Sequence, residues 1–214
     1  MTKLEIRSRL FACLLAALAG FIDAVGFIRS GGFFVSFMSG NSTRLGVGIV
    51  NRLHDALVAS GLVLGFVCGV ILGSLIGEAA RARRAAVVLA TVAALLAFAA
   101  FLDGAGRLVP ALALLALGMG AVNTVFERGG EVRVGLTYMT GSLVRVGTGV
   151  ASALLGRGGD DWPVYLLLWL SFILGTLCGA IAYGPPPNLT LAAGAAASLV
   201  LAAVSLQTAS KVRS

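Results

Sequence analysis

Phe37-Met38-Ser39-Gly40-Asn41-Ser42-Thr43-Arg44-Leu45-Gly46-Val47-Gly48 returns a hundred residues later as Tyr138-Met139-Thr140-Gly141-Ser142-Leu143-Val144-Arg145-Val146-Gly147-Thr148-Gly149. Both copies read aromatic, Met, hydroxyl, Gly, small polar, two residues, Arg, apolar, Gly, one residue, Gly. The agreement is too long for chance, so the chain is a duplication. The copies also set the problem, because hydroxyls, an amide and an arginine stand in a chain that is otherwise strongly apolar.

Of the 214 residues, 58% are hydrophobic and 12% charged, and the mean hydropathy is +0.99. A soluble domain with so little polar surface could not cover itself. The composition predicts an all-α polytopic membrane protein. Leu10–Ile28, Asp55–Gly77, Ala85–Leu102, Leu108–Phe126, Val164–Tyr183 and Leu189–Leu206 read as clear spans, and Phe33–Val50 and Val134–Leu155 hold the motifs. The first span is too long for a signal peptide and contains Asp23. The net charge of +7 sits in short clusters between apolar runs, which argues for membrane orientation and against nucleic acid. Cys13, Cys68 and Cys178 have no paired spacing and the chain has one histidine, His54, so neither a disulfide framework nor a metal site is expected, and the cysteines read as small packing residues.

The duplication reaches beyond the motif. Gly20-Phe21-Ile22-Asp23 aligns with Gly120-Ala121-Val122-Asn123, and Phe66-Val67-Cys68-Gly69 with Gly73 aligns with Phe172-Ile173-Leu174-Gly175 with Gly179. Residues 1–106 and 107–214 are therefore expected to be two repeats of one membrane domain, each with a span, a motif segment, a glycine-rich span and a plain span.

Charge decides their relation. With a cytoplasmic N-terminus and the motif arginines set aside, six spans and two re-entrant motif segments put eleven basic residues inside and three outside. Eight spans give eight against six. The positive-inside rule favours six spans and inverted halves, with both termini cytoplasmic. Length agrees, since 16 residues from Val35 to Val50 reach only ~24 Å as a helix, short of a ~30 Å hydrocarbon core.

A glycine between polar residues is a natural helix break, and broken helices from inverted repeats commonly build solute sites near the bilayer midplane. The expectation is a central site between the two motifs. Met38, Ser39, Gly40, Asn41, Ser42, Arg44, Asn123, Tyr138, Met139, Thr140, Gly141, Ser142 and Arg145 are the candidate solute-binding residues, with Phe37 as an apolar wall. Arg44 and Arg145 suggest anion attraction; capping of carbonyls, a carboxylate partner or snorkelling to the interface would equally explain them. Asp23, the one acid well inside a span, is a candidate for ion coupling or for an ion pair with Arg44 or Arg145. No span holds paired carboxylates, a His cluster or a nucleophile with a base, so an enzyme is not expected, nor is a cofactor. Gly61, Gly65, Gly69, Gly73 and Gly77, echoed by Ser171, Gly175 and Gly179, form small-residue stripes for close packing, within the bundle or as a homodimer seam. Trp162, Tyr165 and Trp169 suit an interfacial aromatic belt.

Gly20 to Asp23, Met38-Ser39-Gly40-Asn41 and Tyr138-Met139-Thr140-Gly141 resemble the YoaK family of bacterial inner-membrane proteins over nearly the whole chain. Ser39 stands where that pattern has Thr, which keeps the hydroxyl. The resemblance implies a bacterial inner-membrane, multi-pass protein and supplies no substrate. The residues themselves point to a transporter or channel for a small solute, with a structural or regulatory membrane protein as the rival.

Overall fold

A computed structural model describes residues 6–128, 131–132, 135–157, 161–184 and 186–211, without the side chains of 128, 131, 132 and 208–211. The helices are α1 (Ile6–Ser30), α2 (Met38–Asn51), α3 (Leu53–Ala80), α4 (Arg84–Gly104), α5 (Leu108–Val122), α6 (Met139–Leu154), α7 (Trp162–Ala182) and α8 (Pro187–Lys211). A short hairpin of β1 (Glu127–Arg128) and β2 (Glu131–Val132) follows α5. The stretches Ile6–Ser30, Leu53–Gly104, Trp162–Ala182 and Pro187–Gln207 are each long and apolar enough to cross a membrane. The 52-residue stretch is two helices, α3 and α4, folded at a 3-10 turn over Arg81–Arg83 where Arg81 has φ 49°. The fold is thus that of an all-helical polytopic membrane protein.

Local chemistry sets the ends. Pro110, Pro163 and Pro187 lie in the first turns of α5, α7 and α8, where a missing N–H costs nothing. α1 closes in a Schellman turn, with Gly31 at φ 70° and Gly32 N–H donating to the Phe27 carbonyl at 2.8 Å. α4 closes the same way at Gly106, with Arg107 N–H on the Leu102 carbonyl at 2.8 Å. The sequence places α5 through Phe126, but the helix stops at Val122 and the next residues form successive tight turns.

The core is built by α1, α4 and α5, which bury Leu15, Ile22, Leu89, Leu96, Leu115 and Met119. Around it the same contact is made twice. A Cβ on Gly69 of α3 would land on the Leu117 carbonyl of α5, and one on Gly73 would meet Ala121; a Cβ on Gly175 of α7 would land on the Ala17 carbonyl of α1, and one on Gly179 would meet Phe21. Absent side chains let these backbones touch. Of the glycine stripe on α3, only Gly61 faces open space. Gly65, Gly69 and Gly73 thus pack on α5, and Gly175 and Gly179 on α1, as the within-bundle reading of the stripes expects.

These registers also fix direction. Residue numbers rise together along α3 and α5 and along α1 and α7, so each pair is parallel. Arg29 Nε donates to Asp103 Oδ1 at 2.8 Å, joining the ends of α1 and α4. Gly104 at the end of α4 meets Asn188 at the start of α8. At the opposite end, Arg84 reaches Glu78 at 3.0 Å and Glu127 at 3.3 Å, and Ser74 Oγ donates to Glu127 at 2.6 Å. Helices α1, α4 and α7 therefore run one way and α3, α5 and α8 the other. The sequence-equivalent helices α1 and α5 point in opposite directions.

Cys13 is buried, whereas Cys68 and Cys178 lie exposed on helix faces, so the packing role expected of all three holds only for Cys13.

Candidate functional site

Each motif forms a short helix entered by a non-helical segment that is tied down by a buried polar side chain. After Gly31 and Gly32 the chain doubles back, and Asp23 Oδ1 accepts the backbone N–H groups of Val35 at 2.9 Å and Ser36 at 2.8 Å. Asp23 lies seven residues before the end of α1, so the tip of this segment has returned ~10 Å along the helix. There α2 begins, and its 14 residues span ~21 Å. The entering segment runs antiparallel to α2. Asn41 Oδ1 accepts Phe34 N–H at 3.1 Å and its Nδ2 donates to the Phe34 carbonyl at 2.6 Å, while Arg44 lies 4.7 Å over the Phe33 ring. This is a re-entrant hairpin in form.

The second motif repeats the device with different atoms. Asn123 Oδ1 accepts Thr137 N–H at 3.3 Å and Thr137 Oγ1 at 3.2 Å, and its Nδ2 donates to the Met119 carbonyl at 2.9 Å. Asp23 and Asn123 are thus equivalent in what they hold, since both side chains are buried and both anchor the residues just before a motif helix. A carboxylate can accept only; the amide accepts from the segment and donates to its own helix.

Several expectations are corrected. The breaks do not fall at Gly40 and Gly141, which lie inside α2 and α6; they fall before Met38 and Met139, at Phe37 and Tyr138. Gly40 is small because the Phe34 and Phe37 rings pack on it, while Gly141 faces open space. The motif helices do not pack chiefly on each other at a central site: α2 packs on α3 and α6 on α7. Asp23 pairs with neither Arg44 nor Arg145 in any salt bridge among the described residues. Each arginine lies over a ring instead, Arg145 at 4.9 Å from Tyr165. Tyr165 and Trp162 both pack against α6, with the Trp162 side chain on Gly149.

Of the remaining candidates, Ser39, Ser42, Thr140, Gly141, Arg145, Tyr138 and Phe37 are exposed, and Met38 and Met139 are half-buried. Ser42 Oγ donates to the Met38 carbonyl at 2.8 Å and Ser142 Oγ to the Tyr138 carbonyl at 3.4 Å, so these hydroxyls retain acceptor capacity only. Asn41 is fully buried and both ends of its amide are engaged by Phe34. It holds the hairpin and does not face a solute. Asn41→Ala is expected to cost about 2–4 kcal/mol, less than two fully buried groups would, since it leaves the N–H and C=O of the half-buried Phe34 without partners. Thermal unfolding of the purified protein in detergent would measure this, and a melting temperature equal to the parent's would refute it.

Ser36 and Thr137, the residues that Asp23 and Asn123 hold, were not singled out from the sequence. A signal was present, because a hydroxyl precedes the aromatic in both copies, Ser36-Phe37 and Thr137-Tyr138.

Residues 11–204 match the family model described as Protein of unknown function (DUF1275). The chain is 38% identical over 209 residues to the UPF0700 transmembrane protein RA0705 of Rhizobium meliloti, covering 94% of this chain and 88% of that one. It is 30% identical over 151 residues to the UPF0700 transmembrane protein YoaK of Bacillus subtilis, covering 67% of each. No solved structure matches.

Proposed function

The chain belongs to the DUF1275 family and is an integral membrane protein like its UPF0700 transmembrane relatives; from that premise we propose that it is a transporter or channel for a small solute, with an anion weakly preferred. In this reading it has six spans and two inverted repeats, residues 1–106 and 107–214, in the bacterial inner membrane with both termini cytoplasmic. The opposed directions of α1 and α5 support the inversion, as does the charge distribution. Two hairpins then enter from opposite faces, α2 from outside and α6 from inside.

One observation carries the reading. Both hairpins are held by buried clamps, yet each leaves a polar face unfilled: Ser39, Ser42 and Thr43 on α2, and Thr140, Arg145 and Thr148 on α6. Non-spanning backbone and a charge at membrane depth are tolerated where they border protein or a water-filled cavity. Each face offers a solute hydroxyl acceptors, and Arg145 adds N–H donors on α6. Asp23, the one clamp that carries a carboxylate, is the candidate for coupling. The rival, a structural or regulatory membrane protein, draws support from Asn41, whose amide is satisfied within its own hairpin.

Proteoliposomes loaded in turn with chloride, nitrate, formate or inorganic phosphate would test the reading. The expected result is efflux of at least one anion above protein-free vesicles, reduced about tenfold or more by Ser39→Val with Thr140→Val in protein that elutes as the parent does. Background flux for the whole panel would favour the structural role. Orientation is read separately from single cysteines in a background lacking Cys13, Cys68 and Cys178. A cysteine at His54 should label from outside intact cells and one at Ala82 only after permeabilisation; the reverse pattern, or external labelling of both, would overturn the inverted topology.

A further inference from the structure

Where α2 hands over to α3, a recess of about 430 Å³ is lined by Thr43, Arg44, Asn51, Arg52 and Asp55, with Val47 and Gly48 as its apolar wall. Two arginines and one carboxylate are among its lining residues. Among the described residues neither Arg44 nor Arg52 forms a salt bridge, so Asp55 is ion-paired with neither, and the lining carries two cations to one anion. Thr43 Oγ1 donates to the Ser39 carbonyl at 3.2 Å, and one of the two Asn51 Nδ2 N–H groups donates to the Val47 carbonyl at 3.2 Å. The side-chain N–H donors left to the lining are those of the two arginines and the second N–H of Asn51.

Arg44 is positioned and not merely present. Its guanidinium lies 4.7 Å over the Phe33 ring. On its edge it meets Gly32, where a Cβ would come within 2.8 Å of Nη2 and where φ is 111°. An arginine whose face is held by a ring keeps its in-plane N–H groups for a ligand, and planar forks suit oxyanions better than a point charge does. We propose that this recess is an oxyanion site, taking a phosphate or carboxylate group either as a free anion or as the headgroup of an anionic lipid. The site lies at the start of α3, at one end of the bundle, where a headgroup and a dissolved anion are both within reach. The proposal goes beyond the transport reading and does not depend on solute movement.

Calorimetric titration of the full-length protein in a zwitterionic detergent at fixed ionic strength tests it without any flux measurement. One arm uses inorganic phosphate, the other a short-chain phosphatidylglycerol below its micellar concentration, with the matching phosphatidylcholine as control. Saturable binding of either probe, weakened about tenfold or more by Arg52→Gln and by Arg44→Gln, is the expected result. The arm that responds identifies the source. Arg52→Lys should bind with intermediate strength, because it keeps the charge and loses the fork. Arg52 is exposed, so its substitution leaves the fold intact even if Arg44→Gln does not fold. No binding of either probe, or binding that both glutamine variants retain, would overturn the site.

Discussion

Asp23→Ala is expected to undo the first hairpin, whereas Asp23→Asn keeps it. Alanine removes the acceptor that holds two backbone N–H groups, Val35 at 2.9 Å and Ser36 at 2.8 Å, in a place that water does not reach. Each buried donor left without a partner costs roughly 1–3 kcal/mol, so the loss is about 2–6 kcal/mol, a large part of the stability of most domains. Asparagine keeps an oxygen in the same position, and Asn123 does this work in the other half. Fluorescence-detected size exclusion after a heat ramp would compare the variants. The two-sided outcome is informative: a stable alanine variant would remove Asp23 as the clamp, and an asparagine variant as unstable as alanine would mean that the charge itself is needed. If Asp23→Asn is stable yet abolishes flux, the carboxylate serves coupling in addition to holding the hairpin.

Gly69→Val and Gly175→Val should each separate a helix pair, and to a similar degree. In both, the new side chain would fall on a carbonyl oxygen, of Leu117 in one case and Ala17 in the other. Backbone cannot rotate away as a side-chain tip can, so α3 must leave α5 and α7 must leave α1. Overpacking of this kind costs about 1–3 kcal/mol where the core can shift, and more where it cannot. Gly61→Val is the control, since nothing lies within 4 Å of the position a Cβ would take. Melting temperatures in detergent would decide: a marked fall for Gly69→Val and Gly175→Val with Gly61→Val unchanged is expected, and an equal response from all three would show that helix propensity, not the seam, is being measured.

The apolar spans were legible because lipid leaves few options. A long run with few charges must be a helix, and its charged ends report its ends. Asp103-Gly104-Ala105-Gly106-Arg107 was readable as a terminus for the same kind of reason, a glycine able to take φ 75° just past an apolar run. The equivalence of Asp23 and Asn123 was also legible, but its purpose was not. Nothing in the spacing says that a side chain on α1 will meet the backbone of residues twelve and thirteen positions on, since that contact exists only once the chain has turned back on itself. Asn41 was misread in the same way: an amide beside a glycine suits a solute site, and only the returning segment showed that Phe34 occupies both of its ends.

By itself the sequence determined the class and the apolar spans, which follow from composition and length along one chain. Tertiary structure alone decided the partners. It set α2 on α3 and α6 on α7, filled the glycine stripes from within the chain, and brought Arg44 and Arg52 to one recess. The physical reason is that a hydroxyl, an amide or a guanidinium can be satisfied by backbone, ring or ligand with equal ease, and which of these it meets depends on groups that are near in space and far apart in sequence.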